Sequence, residues 1–246
     1  MKLSRFENGS PEIFRTIQGE GPSTGYPAVF LRLSLCNLHC VWCDTPYTWN
    51  WENTPWKHED NKKYSKKEQI IELNTSEIAS LLTELAQPGD RLVITGGEPL
   101  LQQTELLQLL PEITKLFSAI EIETNGTQQP SLELDAFIAQ YNVSPKLSNS
   151  DNAETLRRPA APLTFFANCP KAFFKFVVAD QTDLEEILSF EDLFSLVKQR
   201  TLLMPLGRTS EALAKSRQWV AQTCLQHGFR FSDRIHIHLW GDKRGR

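Results

Sequence analysis

The 246-residue chain is 40% hydrophobic and 23% charged, which is enough apolar content for one sizeable core or a single α/β barrel-like domain. Its formal net charge of −4 gives no electrostatic case for a nucleic-acid backbone as partner, and no apolar run approaches the ~20 residues of a membrane span. Met1 to Arg5 leads into no apolar stretch, so a secretory signal is not expected, and clustered thiols without a paired framework fit a reducing cytoplasm.

Residues 11–27 read as a loop, punctuated by Pro11, by Gln18-Gly19-Glu20-Gly21-Pro22 and by Gly25-Tyr26-Pro27. Ala28 to Leu35 alternates as a strand. Leu31, Leu33 and Leu35 share one face, and Phe30, Arg32 and Ser34 share the other. Arg32 thus sits mid-strand among apolar neighbours, where an arginine needs an anionic partner, either a structural carboxylate or a ligand.

The strand runs into Cys36-Asn37-Leu38-His39-Cys40-Val41-Trp42-Cys43, which holds three of the five cysteines in a C-x3-C-x2-C spacing. A loop this compact can aim three thiolates at one centre, and soft thiolates select iron–sulfur clusters or zinc. Three ligands would leave one iron of a cubane cluster open to a small molecule, which points to catalysis. The competing reading is a structural zinc knot with His39 as fourth ligand, although the second ligand pair usual in such sites is absent.

Residues 46–74 form a polar insert carrying Trp49, Trp51 and Trp56, part of which should pack. Ser76 to Ala86 has helical spacing at Ile78, Leu81, Leu82 and Leu85. Arg91 to Thr95 is a strand ending in Gly96-Gly97-Glu98-Pro99, and Glu105 to Leu110 is a short helix. Ala119 to Thr124 is a strand with Glu121 and Glu123 on one face, turning at Asn125-Gly126-Thr127. Tyr141 to Ser144 is a strand followed by Pro145-Lys146.

Residues 148–170 read as a loop or second insert, because Pro159, Pro162 and Pro170 break it. Strands follow at Phe173 to Val178, around Lys175, and at Thr201 to Met204, running into Pro205-Leu206-Gly207. Helices follow at Asp180 to Leu188 and at Glu211 to His227, the latter stopped by Gly228. Cys224 belongs to the core and Cys169 is a stray thiol. Arg234 to Leu239 alternates as a strand, with His236 and His238 opposite Ile235, Ile237 and Leu239.

Strands alternating with helices give a mostly parallel sheet curling into a partial (β/α) barrel with reduced helices. Ligands in such folds gather at the carboxyl ends of the strands. The segments Cys36–Cys43, Thr95–Pro99, Thr124–Thr127, Ser144–Lys146 and Met204–Gly207 all occupy that position, which favours an enzyme over a scaffold.

The C-x3-C-x-aromatic-C motif resembles the cluster motif of the radical S-adenosylmethionine (SAM) superfamily. The run from Phe14 through Gly21 to Asp44-Thr45 resembles the 7-carboxy-7-deazaguanine synthases of queuosine and other 7-deazapurine biosynthesis. The resemblance implies one radical SAM domain over residues 1–246 with inserts at about 46–74 and 148–170. It implies a 4Fe–4S cluster on Cys36, Cys40 and Cys43, SAM as cosubstrate, and a magnesium ion on Thr45.

By the same resemblance, Ile17, Gln18, Gly19, Arg32 and Thr95 would bind substrate. Gly97, Glu98, Ser144, Pro145, Lys146, Met204, Pro205, Leu206 and Gly207 would bind SAM. The implied reaction is a carbon–nitrogen lyase step. It contracts the ring of 6-carboxy-5,6,7,8-tetrahydropterin by radical chemistry, releases ammonia, regenerates SAM and gives 7-carboxy-7-deazaguanine. A homodimer fed electrons by a flavodoxin or ferredoxin is implied too. The two inserts do not match the family pattern, and Met204-Pro205-Leu206-Gly207 replaces a more polar segment expected to begin with glutamine. On the cluster motif alone, a glycyl-radical activase acting on a protein is a competing radical SAM enzyme.

Overall fold

The computed structural model describes residues 1–246. Strands β1 (Lys2–Ser4) and β2 (Ile13–Ile17) both pair antiparallel with β3 (Pro27–Leu33), and β4 (Ile70–Glu72) forms the sheet edge against β1. On its other side β3 pairs in parallel with β5 (Arg91–Gly96). The parallel run continues through β6 (Ala119–Thr124), β7 (Gln140–Val143), β8 (Ala172–Val178), β9 (Thr201–Pro205) and β10 (Arg230–Phe231). The ten strands make one sheet with free edges at β4 and β10, so the barrel is partial and open.

The helices are α1 (Lys66–Gln69), α2 (Thr75–Leu85), α3 (Gln103–Ile113), α4 (Leu132–Asp135), α5 (Glu154–Arg157), α6 (Ala160–Asn168), α7 (Gln181–Phe194), α8 (Ser210–His227) and α9 (Ile235–Trp240). The longer ones carry proper ends. Asn74 and Glu77 form a reciprocal capping box at α2, Thr209 caps α8, and Gly228 ends α8 at φ 77°.

Strand alternation sorts the two faces of the sheet. Leu31 and Leu33 on β3, Ile120 and Ile122 on β6, and Phe174 and Phe176 on β8 join one continuous core with Leu106, Leu109 and Phe190 from the helices. Each fully buried side chain of this kind contributes roughly 1.5–3 kcal/mol. The intervening residues Arg32, Glu123 and Lys175 face the opposite, concave side, where they line a pocket.

Several stretches differ from the sequence expectation. The loop expected at 11–27 contains β2, because Ile13 to Ile17 pairs along β3 between its glycine and proline punctuation. The strand expected to reach Leu35 ends at Leu33, and Leu35 turns into the left-handed region at φ 78°. The 46–74 insert ends in α1 and β4, and the latter finds its partner in a three-residue strand at the chain start. The 148–170 stretch contains α5 and α6 and forms the crossover from β7 to β8. Its Pro162 sits in the first turn of α6, where a missing N–H costs nothing, and Leu163 and Phe166 are buried. Helices α3 and α7 outrun the expected 105–110 and 180–188. Residues 234–239 are not a strand: they have no neighbour to pair with, and α9 forms there with only Ile237 buried.

Candidate active site

The carboxyl ends of the parallel strands open onto one pocket. Of the residues expected to bind substrate, Ile17, Gln18, Gly19, Arg32 and Thr95 all line it. So do the three motif cysteines, Thr45, Gly97, Ser144, Lys146, Met204, Pro205, Leu206 and Gly207. Pro145 does not line it, and neither does Glu98. The Glu98 carboxylate turns inward to accept from Leu100 N at 3.0 Å, Thr124 Oγ1 at 2.9 Å and Asn125 N at 2.7 Å. Burial lifts its pKa to about 7, against the pull of those donors. Its side chain ties the end of β5 to the end of β6, and only its backbone is left to meet a cosubstrate.

The double glycine has a packing reason of its own. Gly96 adopts φ 137°, and a Cβ on Gly97 would lie 2.0 Å from the Leu35 carbonyl oxygen. Only glycines let β5 press its end against the start of the cysteine loop, where Glu98 N donates to Leu35 O at 2.8 Å.

All three thiols are free, and each has a polar group on its sulfur. Leu38 N lies 3.5 Å from Cys36 Sγ, Asn152 Nδ2 lies 3.4 Å from Cys40 Sγ, and Thr45 Oγ1 lies 3.6 Å from Cys43 Sγ. Burial pushes all three thiols up, Cys40 to about 12 even with Lys146 nearby, so metal ligation must supply the thiolate form. No three His, Cys, Asp or Glu side chains converge on a point that would hold a single metal ion. A polynuclear cluster, in which each thiolate binds a different iron, does not need the three sulfurs to meet at one point, whereas a mononuclear zinc knot does. His39 is not a ligand either. Its ring stacks on Trp56 at 3.7 Å between centroids and meets the edge of Trp49 at 5.2 Å. The tryptophan insert therefore packs over the cysteine loop, and His58 Nε2 holds the Cys43 carbonyl at 2.7 Å.

Around the whole pocket the lining carries six lysines or arginines against three acidic side chains. Arg32 gives only its Nε, at 2.8 Å, to the buried Glu12, which leaves its outer nitrogens for a ligand. Glu123 accepts from Gln18 Nε2 at 3.1 Å and Thr95 Oγ1 at 2.9 Å. Its neighbour Glu121 is consumed by an ion pair with Arg91. Arg234 donates to Glu20 at 2.7 Å, to Asp44 at 2.5 Å and to the Gly207 carbonyl at 2.8 Å. It thereby links the loop after β2, the cysteine loop and the loop after β9. Lys175 also pairs with Glu20, and together these cations hold the Glu20 carboxyl well below its ordinary value despite burial. The His236 ring lies against Gly19, where any Cβ would fall 2.1 Å from its Nδ1. Burial pulls this histidine below its usual pKa.

Residues 17–148 match the model of a 4Fe–4S single cluster domain. A 7-carboxy-7-deazaguanine synthase of Pyrobaculum aerophilum is 35% identical over 235 residues, covering 96% of each chain. The chain belongs to the 7-carboxy-7-deazaguanine synthase family. A second member, from Halobacterium salinarum, is 34% identical over 94% of this chain and 90% of its own length. The crystal structure of QueE from Escherichia coli superposes with a TM-score of 0.66 at 27% identity, covering 95% of this chain and 94% of that one.

Family membership accounts for the cysteine motif and the strand-end turns. It does not account for the ionic frame around them. Glu12, Glu20, Asp44 and Arg234 were not legible as site residues. Lys175 showed one signal, a charge in the middle of an apolar strand.

Proposed function

We propose that this chain is a radical SAM carbon–nitrogen lyase that converts 6-carboxy-5,6,7,8-tetrahydropterin to 7-carboxy-7-deazaguanine, with loss of ammonia, in 7-deazapurine and queuosine biosynthesis. The observation that carries this reading is that the three motif sulfurs and the free end of Arg32 face one pocket. Family membership names the reaction, and the cationic lining suits a carboxylated substrate.

Cys36, Cys40 and Cys43 would hold a 4Fe–4S cluster, leaving one iron without a protein ligand. When bound, the cluster and SAM supply the carbon-centred radical that removes a hydrogen atom from substrate. Every other task falls to the chain. The strand-end segments Gly97–Glu98, Ser144–Lys146 and Met204–Gly207 hold SAM. Arg32 takes the substrate carboxylate through its outer nitrogens. Gln18 and Thr95, braced by Glu123, fix the ring, and Ile17 and Gly19 form its apolar floor. The packed insert over His39 excludes water from the cysteine loop. Thr45 would supply a hard oxygen to Mg2+, an ion that keeps few protein ligands.

In this reading residues 1–246 act as one domain, paired as a homodimer in the cytoplasm, with a flavodoxin or ferredoxin as electron donor. No helix is long and apolar enough to cross a membrane. The test is to incubate the reduced, iron-replete protein with SAM and the carboxylated pterin. The deazaguanine acid should accumulate with SAM conserved, and its absence would end the specific assignment.

A further inference from the structure

The crossover from β7 to β8, which the sequence offers only as an unaligned insert, reaches back over the cysteine loop. Val41 N donates to Ser150 O at 3.2 Å, and Trp42 Nε1 donates to Asn149 O at 2.9 Å. Two residues on, Asn152 places its side-chain amide between the loop backbone and a ligand sulfur. Its Oδ1 accepts from His39 N at 2.9 Å, and the two N–H groups of its Nδ2 are shared between Ser150 (Oγ at 3.2 Å, O at 3.3 Å) and Cys40 Sγ at 3.4 Å.

The orientation of this amide is fixed by chemistry. Flipping it would set an NH2 group against the His39 N–H and an oxygen against the sulfur, replacing two attractions by two repulsions. Asn125, from the turn after β6, repeats the arrangement. Its Oδ1 accepts from Thr127 N at 2.9 Å and Thr127 Oγ1 at 2.6 Å, so its Nδ2 gives one N–H to Asn37 Oδ1 at 3.0 Å and keeps the other for Cys36 Sγ, at 3.9 Å.

We propose that the side-chain amides of Asn152 and Asn125 donate N–H···S hydrogen bonds to the ligand sulfurs of Cys40 and Cys36 and raise the reduction potential of the cluster. This rests on the reading of the cysteines as cluster ligands. A ligand thiolate carries negative charge, and reduction adds one more electron to the cluster. A donor on the sulfur draws off that charge and makes the reduced state easier to reach. The chain thus keeps a cluster buried among apolar and aromatic groups within range of its electron donor. Asn152 carries the larger share because its contact is shorter.

The test is an EPR-monitored redox titration of iron-replete protein without SAM. Asn152→Leu removes the donor without adding a charge beside the cluster. Its cluster should titrate lower, with about a tenfold smaller reduced-to-oxidised ratio at the wild-type midpoint, which is 59 mV for a one-electron couple. Asn125→Ala should move the midpoint the same way by less. Unmoved midpoints in variants that retain about four irons would overturn the proposal. If the variants lose their iron, wild-type protein labelled with 15N-asparagine decides. A pulsed-EPR coupling from side-chain 15N to the reduced cluster supports the donors, and its absence overturns them. Wild-type protein that binds no iron would instead remove the cluster reading itself, a result distinct from an unmoved midpoint.

Discussion

Glu12 and Arg32 form a buried pair, with Nε 2.8 Å from Oε1, and the second Glu12 oxygen takes Arg244 Nη2 at 2.6 Å. Tyr47 Oη also donates to Oε1, at 3.1 Å, and the Arg244 guanidinium lies 3.7 Å above the Tyr47 ring. One carboxylate thus sets the aim of a substrate-facing arginine and anchors the end of the chain. Glu12→Gln leaves two cations short of their counter-charge. The expected cost is about 3 kcal/mol of stability, the low end for a broken buried pair, since both arginines keep some exposure. Denaturant unfolding measures it. The variant should also raise KM for the pterin while keeping its iron.

Arg32→Ala should lose about 2–5 kcal/mol of apparent binding to the carboxylated pterin, roughly 30-fold or more. A pterin lacking the carboxylate is the control. If Arg32 recognises that group, wild type and variant should differ little on it, and an undiminished difference would show that the arginine acts only through the fold.

Cys40→Ala should remove both colour and turnover. Cys224→Ala should keep both, because that thiol sits in the core on α8 with its Sγ 3.3 Å from the Arg230 carbonyl, away from the pocket. Iron content and the visible spectrum of the two anaerobic preparations check this. Iron retained in the Cys40 variant would contradict the ligand set.

Glu20→Gln should cost about 3–5 kcal/mol at neutral pH, because Lys175 and Arg234 lose their shared buried partner. The sign with pH follows from the depressed carboxyl. A group held below its unfolded pKa contributes fully above the ordinary carboxylate range and loses that contribution as pH falls through its folded value. The gap between wild type and variant should therefore be full at pH 7 and narrow only in acid. Urea midpoints across the pH range measure it, and a gap that widens on acidification would contradict the ion pairing.

The parts legible in the sequence were those governed by local pattern. The cysteine spacing, the alternation of β3 and β6, the apolar run of β5 and the glycine-stopped run of α8 each announce themselves within a short stretch of chain. Their meeting at strand carboxyl ends follows from the α/β order. The ionic frame was not legible, because Arg234 meets Glu20 and Asp44 across more than 150 positions of chain, and only folding brings them together. Pro162 disguised α6 by sitting where a helix tolerates it. At 234–239 a period-2 pattern was present but no partner strand was, so the chain coiled instead. Glu98 was legible as a motif member but not as a buried strut, since its inward turn depends on donors from the next strand.

The most direct measurement is the EPR spectrum of the reduced, anaerobically prepared protein before and after adding SAM, alongside its metal count. About four irons per chain, and a spectrum altered by SAM, would show a cluster whose unligated iron receives the cosubstrate. A colourless protein with a single zinc, or an iron signal indifferent to SAM, would contradict the account.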